Sequence, residues 1–255
     1  MNIELGVLFS LLLKLILPLL RIGAFMISSP LFSVDAVNLR FRISIAVVLS
    51  VLVINVAPVP EYEPLSTNGV LFAFIEVFIG VMLGITLQIV TAAFTVGGSF
   101  ISNSMGLSFA NIVDPGMGNV PVISQFFILL ATLIFLAMNG HLILIQVLIG
   151  SFITVPIGSY PDLSGWFDIL WLWTPQMFIA GVALGLPVVI ALLIINMGLG
   201  IVTRAAPAMN IFSIGFPALL IGGLLFLLVA LPGIGSSMET LWSNGVDTIN
   251  QLLGI

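Results

Sequence analysis

Between residues 122 and 155, and again between 175 and 202, the chain contains no Asp, Glu, Lys or Arg. A helix needs about 20 predominantly apolar residues to cross the hydrocarbon of a bilayer. At that depth every backbone N–H and C=O must be satisfied within the segment, so such runs fold as helices. Further apolar stretches lie at residues 5–27, 43–56, 70–96 and 211–231, the second of them short. Composition removes the water-soluble alternative, because only 6% of residues are charged and 60% are hydrophobic, whereas a soluble domain carries roughly 25% charge. The expected fold is an all-α integral membrane protein of about six kinked or tilted hydrophobic helical segments, a single membrane domain over residues 1–255.

The same scarcity of polar groups excludes much chemistry. There is no cysteine and one histidine, His141, so thiolate, iron–sulfur and histidine-cluster metal sites are not expected. The one lysine, Lys14, stands in Leu-rich sequence with no phosphate-cradling glycine loop around it, which removes that route to ATP hydrolysis. No catalytic residue, cofactor or metal is expected. A net charge of −5 argues against nucleic acid as a partner, since phosphate backbones call for clustered Lys and Arg.

Lys14, Pro18 and Arg21 interrupt the first apolar stretch, which has no basic segment before it and is read as retained. The fourth, broken at Asn139-Gly140-His141, is either a kinked helix or two tilted pieces. Arg40, Arg42 and Arg204 mark one set of connectors and Glu61, Glu63, Asp162 and Asp168 the other; basic connectors face the cytoplasm, which puts both termini outside. Pro58, Pro60 and Pro64 predict a non-helical link, and Tyr160, Trp166, Trp171 and Trp173 an interfacial aromatic belt. No internal repeat at a fixed period is visible.

The link at residues 97–121 is the most unusual segment. It is rich in Gly, Ser and Asn, dotted with Met and Phe, and carries one charge, Asp114. Unstructured connections beyond about 12–15 residues are uncommon in compact domains unless functional. Non-helical backbone at membrane depth persists where protein buries it or where it lines a watery cavity, so a re-entrant or pore-occluding loop fits. An ordinary neutral surface loop with a short interfacial helix fits the composition equally.

Glu76 is the one carboxylate deep in a span, and with Lys14, Arg21 and Arg204 it makes up the ionisable set nearest to span interiors. Charge at membrane depth pairs, snorkels or faces water. A structural ion pair or a contact to a partner subunit is therefore favoured for Glu76 over a proton relay, and a hydrogen-bonded structural role for His141. Gly80-x-x-x-Gly84 and Gly181-x-x-x-Gly185 have the spacing that lets helix backbones approach in lipid.

Four blocks then resemble a known family in order. They are Met105-Gly106-Leu107-Ser108-Phe109-Ala110 with Asp114-Pro115; Phe135-Leu136-Ala137-Met138-Asn139-Gly140-His141; Ser151-Phe152 with Pro156; and Arg204-Ala205-Ala206-Pro207-Ala208-Met209-Asn210-Ile211-Phe212 with Gly215-Phe216-Pro217. Together with Ser29-Pro30-Leu31-Phe32 and Glu76 before Gly80, they resemble the FliR/SctT family of type III export-gate proteins over nearly the whole chain. Ala208 departs from the family's usual Gln after Pro207, so no hydrogen bond is carried over to that position.

The resemblance implies a multi-pass protein of the bacterial inner membrane and flagellar basal body. It implies assembly with FliP and FliQ into a helical export gate, joined by FlhB and FlhA, that passes unfolded flagellar proteins outward and touches membrane lipid. It also implies FliP-like and FliQ-like parts joined in one chain, with tilted helices instead of a plain bundle, and a plug in the closed pore. The matching stretch is about Gly106 to Val122, and Met105, Gly106, Leu107, Ser108, Phe109, Asp114, Pro115, Gly116 and Met117 are the expected plug residues. Glu76, His141, Arg204, Pro207 and Asn210 are expected to be polar residues that serve assembly or structure. A virulence-type secretion homologue, a stand-alone solute transporter and a pure scaffold are the other readings.

Overall fold

The structure, a computed structural model, describes residues 5–32, 38–107, 121–205 and 211–255. Among these the secondary structure is helical throughout: α1 (Leu5–Ser28), α2 (Leu39–Val56), α3 (Thr67–Ser104), α4 (Val122–Ala137), α5 (Gly140–Thr154), α6 (Leu163–Trp173), α7 (Gln176–Ala205) and α8 (Ile211–Leu253). Four described segments are long and apolar enough to cross a membrane, and α4 with α5 passes the same test as one bent pair.

Local chemistry sets the ends. Asn38 accepts a hydrogen bond from the Arg40 N–H and opens α2, the N-cap arrangement that satisfies an otherwise orphaned donor. Ser66 does the same for α3, its Oγ taking the Gly69 N–H at 3.1 Å. Residues 57–66, with the three prolines, are non-helical, and Tyr62 ties this link to α1 through a 2.9 Å bond from its hydroxyl to the Leu13 carbonyl. Asp162 precedes α6, and its carboxyl is held below the ordinary range first by the Ser164 hydroxyl and then by the Gly165 N–H. That contribution to the start of α6 is present above the usual carboxylate range and is lost as pH falls through the lowered value. Asn139 takes a left-handed conformation, φ 56°, which asparagine tolerates better than most residues; it separates α4 from α5.

Several boundaries depart from the sequence expectation. Residues 97–104, expected to open the 97–121 loop, are the last turns of α3. Their glycines lie close against other helices: a Cβ at Gly97 would lie 2.8 Å from the Gly181 carbonyl oxygen, and one at Gly98 2.6 Å from the Ser124 nitrogen. The link at 156–174, expected as connector and belt, contains α6. Only part of its aromatic set faces outward: Trp171 and Tyr160 are exposed, while Trp166 is buried, stacked 6.5 Å from Phe78, and Trp173 donates to the Thr86 carbonyl at 3.1 Å. The last helix continues well past 231, through Pro232 to Leu253.

By contact, the chain divides into two compact units: Met1–Gln88 with Asn139–Trp173 and Asn244–Ile255, and Ile89–Met138 with Thr174–Ser243. In the first, α1 packs on α2, and α2 touches α5. Its core includes Leu17, Ile22, Leu49, Val53, Leu83 and Phe152. In the second, Gly181 and Gly185 of α7 meet Ala93, Val96, Gly97 and Phe100 of α3. The anchor of this unit is Trp242, 1% exposed. It lies 4.5 Å from the Phe135 ring and 5.6 Å from the Phe94 ring between centroids, with its indole N–H on the Ala131 carbonyl at 2.9 Å. Truncating a buried indole costs its packing and leaves a cavity. Trp242→Ala is expected to destabilise the purified protein by about 3–5 kcal/mol, and Trp242→Phe by clearly less, read as loss of the folded fraction on heating in detergent.

Candidate functional site

The ionisable groups deepest in the first unit meet at one place. Arg21, on α1, and Glu76, on α3, are both fully buried although 55 residues apart in sequence. The guanidinium grips the carboxylate with two parallel bonds, Nε to Oε2 at 2.6 Å and Nη2 to Oε1 at 3.0 Å, the bidentate form that combines charge with fixed geometry.

The remaining donors go to the end of α5. Arg21 Nη1 reaches the Ser151 carbonyl at 2.8 Å and its Oγ at 3.2 Å, and Nη2 reaches the Val155 carbonyl at 2.9 Å. The Ser151 carbonyl also accepts the Val155 N–H at 3.0 Å and takes the guanidinium as a second donor; it and the Val155 carbonyl lie at the negative end of the helix dipole, where a cation is favoured. All five guanidinium N–H groups are thereby used. Phe152 lies beneath, its ring centre 4.1 Å from Arg21 Cζ, a distance at which the ring face attracts the cation. The Ser151 hydroxyl in turn donates to the Leu148 carbonyl at 2.6 Å.

Glycine sets how closely α1 and α3 approach. One turn beyond Glu76, a Cβ on Gly80 would collide with the Arg21 carbonyl oxygen and lie 2.9 Å from Ala24 Cβ. A further turn on, a Cβ on Gly84 would run into the Ser28 hydroxyl. That hydroxyl is 2.8 Å from its own Ala24 carbonyl and 3.3 Å from the Gly80 carbonyl across the interface. Glu76, Gly80 and Gly84 thus face Arg21, Ala24 and Ser28 in register, one salt bridge and two close backbone approaches along a single seam.

The other residues expected to matter are scattered. Met105 is fully buried in the turn that ends α3, against Gly223 of α8, where a Cβ would fall 2.6 Å from its Cγ. Gly106 takes φ 79°, and the Gly106 and Leu107 N–H groups return to the Asn103 and Ser102 carbonyls at 3.1 Å each, a left-handed glycine cap closing the helix. Ser108, Phe109, Asp114, Pro115, Gly116 and Met117 lie outside the described residues, as do Pro207 and Asn210. Arg204 is exposed in the last turn of α7, where a cation suits the helix dipole. His141 lies in the first turn of α5, with its Nδ1 buried and without a hydrogen-bond partner.

Sequence reasoning placed Glu76 and Arg21 in spans but did not join them, and it missed Ser151 and Val155 as acceptors. A lone arginine and a lone glutamate in separate apolar runs were the available signal; the α5 carbonyls left none. Among the described residues no group of three or more His, Cys, Asp and Glu is placed to hold a metal.

Long apolar helices joined through a buried charge pair and glycine seams define a multi-helix integral membrane protein. The family model of bacterial export proteins, family 1, matches residues 12–245. The chain is 37% identical over 237 residues to the flagellar biosynthetic protein FliR of Pectobacterium carotovorum subsp. carotovorum, covering 92% of this chain and 91% of that one. It is 36% identical to FliR of Escherichia coli (strain K12) over the same shares, and 30% identical to FliR of Bacillus subtilis (strain 168) over 94% of both chains. The chain belongs to the bacterial export proteins, family 1.

Removing one partner of a buried pair strands the other charge and its hydrogen bonds, which typically costs about 3–5 kcal/mol. Glu76→Ala is expected to destabilise by that order, whereas Glu63→Ala, outside the helices, should stay within about 0.5 kcal/mol. Thermal unfolding followed by tryptophan fluorescence reads both.

Proposed function

We propose that this chain is a subunit of the flagellar type III protein export gate in the bacterial inner membrane, acting with FliP and FliQ as the pore for unfolded flagellar proteins and meeting FlhB and FlhA. The reading is carried by the end-to-end match to proteins named for flagellar biosynthesis, about nine-tenths of each chain aligned in both directions. Apolar helices with many exposed Leu, Ile and Phe side chains suit a subunit covered by lipid and by other helices. In this role the chain performs no catalysis of its own, and energy enters through other components.

Met105 to Met117 form the resting plug in this proposal. The buried Met105 and the glycine-capped end of α3 supply a fixed base from which the segment departs. Deleting residues 106–119 is expected to preserve assembly with FliP and FliQ and to raise leakage of small solutes through the gate. Unchanged leakage in a complex shown to assemble would overturn the plug role. Arg204, Pro207 and Asn210 serve assembly in the same proposal. Arg204→Ala should then lower recovery of the complex, and a variant that assembles fully yet exports nothing would contradict it. A null strain of a flagellated relative should regain motility from the intact gene.

A further inference from the structure

The packing seam of α7 outruns the helix that fills it. In the first half of α7, Ala180, Leu184, Val188 and Leu192 recur every four residues and are buried. Beside them Gly181 lies against Val96 of α3 and Gly185 against Phe100, so the two helices run side by side in the same direction. Ser104, the last residue of α3, follows Phe100 by one turn and therefore stands near Val189, whereas α7 continues to Ala205. At the next two steps after Leu192 the seam reads Asn196 and Gly200, and both are exposed. α8 meets this half of α7 at Ile195, against Gly222, and leaves that line open.

Asn196 lies deep. Residues 175–202 carry no charge, and the exposed Arg204 in the last turn marks the level at which a cation leaves the hydrocarbon. Asn196 is about 12 Å further in along the helix, near the middle of a hydrocarbon layer about 30 Å thick. Its amide offers two donors and an acceptor, and no hydrogen bond joins it to any described residue. Lipid tails can satisfy none of these groups. A watery wall does not fit either, because Leu193, Ile194, Met197 and Ile201 on the turns around it are apolar and more than half exposed. Gly200, one turn on, has nothing within 4 Å of where a Cβ would stand, so another backbone can come close there.

We propose that the line from Asn196 to Gly200 seats a membrane helix of a partner chain. That helix extends the row begun by α3, brings its backbone close at Gly200, and meets the Asn196 amide with a Ser, Thr, Asn or Gln side chain. An apolar surface with one unsatisfied amide and one uncovered glycine is complementary to such a helix, since close packing and hydrogen bonds are what join helices in lipid. The proposal rests on the reading of the chain as a subunit of the export gate, which supplies the partner chains.

The test is co-expression with FliP, FliQ and FlhB of the same bacterium, purification by a tag on this chain, and measurement of each partner recovered per chain. Asn196→Leu should lower recovery of the partner seated there at least about threefold, and Asn196→Gln should restore most of it. Gly200→Leu should lower it about tenfold, by overfilling a close approach. Gly198→Leu makes the same change on the opposite side of α7, at a glycine that likewise has nothing within 4 Å, and should leave recovery unchanged. Neither glycine change meets the chain's own atoms, so the contrast between them reads the partner and not the fold. The chain has no cysteine, so Gly200→Cys labelled with a maleimide benzophenone reports the neighbour directly and should crosslink to one of the three partners. Equal recovery with Gly200→Leu and Gly198→Leu would overturn the proposal. So would crosslinks from position 200 confined to lipid, to a second copy of this chain or to the chain itself. Failure of the parent chain to recover any partner would instead overturn the gate reading, and the proposal with it.

Discussion

A charged guanidinium inside a hydrophobic helix must be satisfied completely or not be there. Arg21 meets that condition by taking Glu76 from α3 and the Ser151 and Val155 carbonyls from the end of α5. Glu76 needs the arginine as much as the arginine needs it, because a buried carboxylate is unsatisfied alone, and the carbonyls at the negative end of α5 favour a cation. The arrangement therefore fixes three helices of one unit at one point. Glycines 80 and 84 then set the depth at which α1 and α3 meet, and the ion pair sets the register along the seam.

The second unit solves the same problem without charge. Its helices approach through Gly97, Gly181 and Gly185, Ser124 shares its hydroxyl with Ser99 and the Thr95 carbonyl, and Trp242 fills the space between Phe94 and Phe135. In lipid, apolar area alone gives helices little reason to associate, so close packing and a few hydrogen bonds determine the arrangement. Both units leave long apolar side chains on their outer faces, as expected where lipid or other membrane helices form the surroundings.

Apolar runs longer than a bilayer crossing made the helical membrane class and most helix positions legible, since composition dictates them directly. The end of α3 was not legible. Gly97, Gly98, Ser99 and Asn103 have the low helix propensity of a loop, and only their fit against Gly181 and Ser124 makes the helical choice favourable. The last half of α8 was missed because Ser236, Ser237, Glu239 and Asn244 lower its hydropathy. Its buried Ile234, Met238, Trp242, Ile249 and Leu252 nevertheless recur at helical spacing, and that periodicity could have extended the helix beyond Pro232. Of the candidate site, the two charges were visible and their union was not, because a contact across 55 residues leaves no local trace.

The central claim is that the arginine joins three helices by donating from α1 to both α3 and α5, beyond its attraction to one carboxylate, and exchanging the charges tests it. In Arg21→Glu/Glu76→Arg the Coulombic pair is kept, but a carboxylate now faces the Ser151 and Val155 carbonyls, to which it can donate nothing. Thermal unfolding of this double variant is predicted to begin no higher than that of Glu76→Ala alone. Recovery of the parent protein's unfolding temperature by the exchanged pair would contradict the account.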